Sequence, residues 1–196
     1  SSRKKSPPKS ATQNTRFENY SGSNRWWHLH WPRDEAVWEA PKVAALQMGS
    51  RPAFVACASA VYVPFSVNVF VPNPDRSESL HYFSAVLNSR LMWKWFQHYA
   101  KRRGAGLEIN GNVLRRAPIV EIDGASTVMR ELHDKIANQA KELLSLQLRA
   151  RSSTLPHERT VIERQIAATH AEIDRLVYEL YGLSDDEIRL VEEATQ

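Results

Sequence analysis

The stretch Ile173-Asp174-Arg175-Leu176-Val177-Tyr178-Glu179-Leu180-Tyr181-Gly182-Leu183-Ser184-Asp185-Asp186-Glu187-Ile188 constrains the fold of this chain more than any other. Ile173, Leu176, Val177, Leu180 and Tyr181 recur at the three- and four-residue spacing of one helical face. Gly182 follows directly, and glycine takes the left-handed conformation that ends a helix without steric cost. Ser184 and Glu187 stand three apart, the spacing of a capping box that opens a further helix. Upstream, Val128, Leu132, Ile136, Gln139/Ala140 and Leu143 repeat at helical spacing, as do Ile162, Ile166, Thr169 and Ile173. A break at 152–156 separates the two, and Pro156 suits a first helical turn. Residues 126–196 therefore read as a C-terminal helical region: a hairpin followed by a short final helix.

The front of the chain carries a different pattern. Residues 1–16 hold five cations, no acid and almost nothing apolar, too little to offset the entropy of ordering. The segment 1–20 is expected to be a disordered basic arm or linker, and a solvated tether and a phosphate-touching arm both fit it. From Tyr20 to Trp38 the chain is rich in aromatics and in both charge signs. Short apolar runs at 41–46 and 53–58, separated by Gly49-Ser50-Arg51-Pro52, read as strands joined by a turn. Val61, Val63, Phe65, Val67, Val69 and Val71 alternate as in a half-buried strand, with Pro64 marking an edge or bulge. Ser77 or Ser79 caps a helix running to about Ala100, with Leu80, Phe83, Leu87, Leu91 and Trp95 as its buried stripe. Lys101-Arg102-Arg103-Gly104-Ala105-Gly106 reads as a basic, flexible loop, and 107–113 and 117–122 as short strands. The expected fold is α+β: a mixed β-sheet domain with a long packed helix over 21–125, followed by the C-terminal helical hairpin.

Charge follows the same division. The net +4 conceals 17 Lys and Arg against 9 Asp and Glu over residues 1–125, and 9 against 13 over 126–196. A basic front joined to an acidic helical tail suggests that only the front faces a polyanion. No apolar run approaches the length that spans a bilayer and no signal peptide opens the chain, so no membrane partner and a cytoplasmic location are expected. The single Cys57 permits no internal disulfide; lying among Val55, Ala56 and Ala58, it reads as a buried, inert thiol.

Catalytic chemistry is hard to find. No G-x-G-x-x-G or Walker pattern occurs among the seven glycines. The one pair of adjacent prolines, Pro7-Pro8, lacks the preceding Asn or Asp and the following aromatic with which methyltransferases hold a flipped base. Glu39-Ala40-Pro41-Lys42 has the wrong spacing for a metal-dependent nuclease. His28-x-His30 has no Cys or acidic residue at ligand spacing, so these histidines read as ordinary strand residues, and no metal is expected. What remains is a binding pattern. Arg25, Arg33, Lys42, Arg51, Lys101, Arg102, Arg103, Arg115 and Arg116 fall in predicted loops or at strand ends, where a rigid scaffold presents binding groups. Lysine and arginine there can neutralise phosphates, while arginine, Asn110 and Asn112 can read base edges. Trp26, Trp27 and Trp31 either stack with arginine or simply pack the sheet.

Several short motifs occur in a recognisable order: Arg25-Trp26-Trp27, Pro41-Lys42, Leu87-Asn88-Ser89-Arg90-Leu91, Leu107-Glu108-Ile109-Asn110, Leu114 through Pro118-Ile119, and the closing Ile173-Asp174…Tyr178…Leu180-Tyr181-Gly182-Leu183. Together they resemble the TaqI-like specificity domain of bacterial DNA adenine methyltransferases over residues 25–192. The resemblance implies a module that holds double-stranded DNA and selects its site, like an excised part of a methyltransferase or fused restriction–modification enzyme. It further implies that S-adenosylmethionine and the flipped adenine belong to a separate catalytic domain, with no cofactor in this chain. Two other readings stay open. The chain could be half of a specificity subunit of a multi-subunit restriction system whose helices dock partner subunits, or a protein–protein adaptor using the Trp-rich front.

Overall fold

The computed structural model describes residues 35–195 apart from 74 and 77. The arm at 1–20, Arg25, Arg33, the aromatic cluster Trp26, Trp27 and Trp31, and the His28/His30 pair lie outside the described residues. A one-turn helix, α1 (Glu35–Glu39), opens the described chain. The remainder, from Glu39 onward, forms one compact unit.

Two three-stranded antiparallel sheets carry the front of this unit. In the first, β1 (Lys42–Leu46) lies between β3 (Phe54–Cys57) and β4 (Val67–Phe70). The second is built from β2 (Met48–Gly49), β6 (Gly106–Glu108) and β5 (Lys101–Arg103), with β6 in the middle. The β1 and β2 strands are separated only by Gln47, whose N–H donates to the Ser66 carbonyl while its own carbonyl accepts from Ile109. One stretch of backbone thus ties both sheets together.

Ser79 caps α2 (Leu80–Asn88) by accepting from the Tyr82 N–H. The helix stripe expected to run to Ala100 is divided. Ser89 adopts an extended backbone, ends α2 and caps α3 (Arg90–Tyr99) by accepting from the Met92 N–H. Its hydroxyl also donates to the Val86 carbonyl at 2.7 Å, satisfying a group that the end of α2 leaves open. Asn88 then turns toward the sheet. Its amide donates to the Phe54 carbonyl at 2.7 Å and accepts from the Phe54 N–H at 2.9 Å, pairing with the edge of β3 as a strand would.

Further sequence expectations are corrected by side chains competing for the backbone. The alternation at 61–71 yields a strand only over Val67–Phe70, because Pro64 offers no N–H and its carbonyl closes a turn with Val67. The run 107–113 leaves the strand after Glu108. Asn110 accepts from the N–H groups of Asn112 and Val113 and starts the short helix α4 (Gly111–Leu114). Segment 117–122 joins no ladder and is pinned from the side instead. Tyr181 donates to the Pro118 carbonyl at 2.6 Å, Tyr82 to the Val120 carbonyl at 2.8 Å, and Glu78 accepts from the Ile122 N–H at 3.1 Å.

The helical region matches its sequence signature. Helices α5 (Thr127–Ser152) and α6 (Pro156–Tyr181) form the hairpin, with Pro156 in the first turn of α6. Gly182 has φ 64° and ψ 36°, the left-handed stop, and the Ser184/Glu187 capping box opens α7 (Asp185–Glu193). Leu132, Ile136 and Ala137 from α5, with Ile173, Leu176 and Val177 from α6, close over Tyr82, Val86 and Leu87 of α2. Val43, Phe54, Met92 and Phe96 belong to the same core. Cys57 is half-buried rather than enclosed, because it stands at the end of an edge strand.

Candidate nucleic-acid interface

The interface is built on the β5–β6 hairpin. Gly104 and Ala105 form its two-residue loop, and Gly104 has φ 58°, the positive angle a tight hairpin demands of its first loop residue. The expected flexible loop at 101–106 is therefore ordered strand and turn. Strand pairing also divides the three cations. Lys101 lies opposite Glu108 and Arg102 opposite Leu107, so successive side chains alternate between faces. Leu107 points into the core, which puts Arg102 on the reverse side of the sheet from Lys101 and Arg103. All three are exposed.

On the outward face, a continuous run of hydrogen bonds links several of the candidate residues. Arg103 Nε donates to Glu108 Oε2 at 2.7 Å, and Asn110 Nδ2 lies 3.4 Å from Glu108 Oε1. Asn110 Oδ1 accepts from the Asn112 N–H at 3.0 Å, and Asn112 Oδ1 accepts from Arg115 Nη1 at 3.0 Å. Arg116 lies over the Tyr99 ring, 5.3 Å from its centre, and Tyr99 leads through Ala100 directly into Lys101. Lys101, Arg103, Arg115 and Arg116 are thus carried by β5 and the end of α4 in one exposed strip. The bond from Arg103, then that from Asn110, and the nearby positive charges hold the Glu108 carboxyl below its usual range. Arg51, in the β2–β3 loop, stacks 4.2 Å from the centre of the Trp93 ring, and that loop leaves the same sheet from Gly49.

Two candidates are corrected. Lys42 lies at the start of the central strand β1 with no exposed surface, and its Nζ donates to the Ala40 carbonyl at 2.7 Å; in this conformation it cannot meet a phosphate. Asn110 spends its carbonyl on the α4 N-terminus and has its amide 3.4 Å from Glu108, so it shapes the strip and cannot offer a base edge both its donor and its acceptor freely. Asn112 remains exposed, its Oδ1 taking the bond from Arg115.

Sequence reasoning missed Glu108, the one acidic residue in these three strands, and the aromatic supports Trp93 and Tyr99. Only the register exposes Glu108, because it lies five positions from the arginine it binds. It also missed an apolar border. Met48 and Phe65 are 58% and 89% exposed, and Met48 is the register partner of Glu108. Among the described residues, no group of three His, Cys, Asp or Glu could hold a metal ion, and no helix is long and apolar enough to cross a membrane.

On this α+β scaffold the second sheet thus carries its exposed cations on the edge strand β5. The family model of the TaqI-like C-terminal specificity domain matches residues 9–119, more than half of the chain. The chain belongs to that family, whose domains are target-recognition modules of restriction–modification enzymes. No curated protein matches it.

Proposed function

We propose that this chain recognises a specific double-stranded DNA sequence on behalf of an adenine methyltransferase or a fused restriction–modification enzyme. The observation that carries the reading is the strip of Lys101, Arg103, Arg115 and Arg116 joined through Glu108, Asn110 and Asn112. Lys101, Arg115 and Arg116 supply phosphate contacts, which give affinity and a steep salt dependence. Asn112 can donate its amide to a base edge and the arginines can meet guanine, each good contact discriminating by roughly 1–3 kcal/mol. Methyl transfer is assigned to a separate catalytic domain, which binds S-adenosylmethionine and takes the adenine out of the duplex.

Fluorescence anisotropy of the chain with a mixed-sequence duplex across a salt series tests the proposal. Binding at low salt that weakens steeply as salt rises supports it; no binding at any salt overturns it and favours a protein adaptor. A methyl-transfer assay with labelled S-adenosylmethionine on this chain alone should return background. Turnover there overturns the division of labour.

A further inference from the structure

We infer that Glu108 is a specificity-determining residue of this surface. It restrains Arg103 from indiscriminate phosphate binding and requires a hydrogen-bond donor from the correct base in exchange. The inference rests on the duplex-binding function proposed above.

Glu108 occupies the middle strand of its sheet, on the outward face between Met48 and Lys101. Its side chain is 18% exposed and takes the Arg103 Nε bond at 2.7 Å. A surface that merely adhered to DNA would do better with a neutral residue here. The carboxylate repels phosphate and also withholds one of the strip's cations. Such an arrangement raises the free energy of every complex that leaves the carboxylate facing an acceptor, and it spares the complex that offers a donor. In the major groove the matching donor is an exocyclic amine, foremost the cytosine N4–H₂, which Asp and Glu accept from. The second carboxylate oxygen has acceptor capacity left for it, since Oε1 has only the long 3.4 Å bond from Asn110. A donor on Oε1 draws charge away from the carboxylate and weakens its hold on Arg103, which can then turn to a phosphate or a neighbouring guanine.

A purely structural ion pair across the hairpin would affect unfolding but not base preference, so the test reads binding. The 196-residue chain, Glu108→Gln and Arg103→Ala are titrated with a mixed-sequence duplex between 50 and 200 mM salt, and each is used to select from a randomised duplex pool. Glu108→Gln should bind mixed sequence more tightly with a log–log salt slope steeper by about 0.9. Its advantage over the parent should shrink about threefold across that range, as expected when one more cation meets phosphate. Its selected sequences should lose the preference at a position carrying cytosine. Arg103→Ala should leave the mixed-sequence slope unchanged while weakening the selected site by about tenfold or more. Superimposable salt lines and an unchanged consensus for Glu108→Gln overturn the inference, as does a reduced mixed-sequence slope for Arg103→Ala. If the unaltered chain itself binds no duplex, the DNA function falls and this assignment falls with it.

Discussion

Asp174 is a surface-looking residue of α6 that the tertiary structure turns inward. One carboxylate oxygen accepts from the Arg90 N–H at 2.8 Å and the other lies 3.5 Å from Arg90 Nε, so a residue from α6 helps cap α3. Burial, the strongest influence on it, raises its pKa above the usual 3.8, against the pull of Arg90. A raised carboxyl pKa means that the folded state holds the proton more tightly. Its contribution to stability is therefore complete below 3.8 and is lost as pH rises through the folded value. Asp174→Asn, which cannot titrate, should gain stability relative to the parent over that window, as read from urea midpoints of both proteins on either side of it. Tyr178 offers a second test on the same helix. Its hydroxyl is buried without a hydrogen-bond partner among the described residues, and burial, with Asp174 and Glu192 nearby, pushes its pKa up to about 12. An unpaired buried hydroxyl stabilises nothing, so Tyr178→Phe should be neutral or more stable by up to about 1–2 kcal/mol in chemical denaturation.

At the scale of elements, the sheet carrying the candidate interface depends on a close approach between glycines. A Cβ on Gly106 would stand 2.9 Å from the Gly49 carbonyl oxygen and 3.1 Å from its carbon. Both are backbone atoms of the paired strand, so neither can yield without moving β2. Gly106→Ala should therefore cost about 1–3 kcal/mol in urea unfolding. It should also weaken duplex binding, because β6 bears Glu108 and aligns Lys101 and Arg103. Helical elements were legible where punctuation residues stood in sequence: Pro156, Gly182 and the Ser184/Glu187 pair each end or begin a helix where expected. They were less legible where a polar side chain took backbone bonds from the pattern. Ser89 divides an uninterrupted apolar stripe into α2 and α3, and Asn110 converts an apparent strand into α4.

For the whole molecule, the strip predicts unequal roles for its cations. Lys101, Arg115 and Arg116 are not tied to a carboxylate by any hydrogen bond described, whereas Arg103 is. Replacing Lys101, Arg115 and Arg116 with alanine together should lower the salt slope of duplex binding by about 0.9 per charge, without changing the urea midpoint by more than about 0.5 kcal/mol equivalent for each exposed position. Lys42→Met should instead leave the slope unchanged, since that amine is buried. By itself the sequence determined the α+β class, the helical hairpin and the helix stop at Gly182, the family resemblance and the basic character of the front. Each of these rests on local spacing, capping chemistry or summed charge, which need no knowledge of distant neighbours. Only the tertiary structure decided which cations share a face, that Lys42 is enclosed, that Asp174 caps another helix and that Glu108 holds Arg103. Those depend on strand register and on contacts between residues far apart in the chain, and a shift of one residue in register would reverse every face.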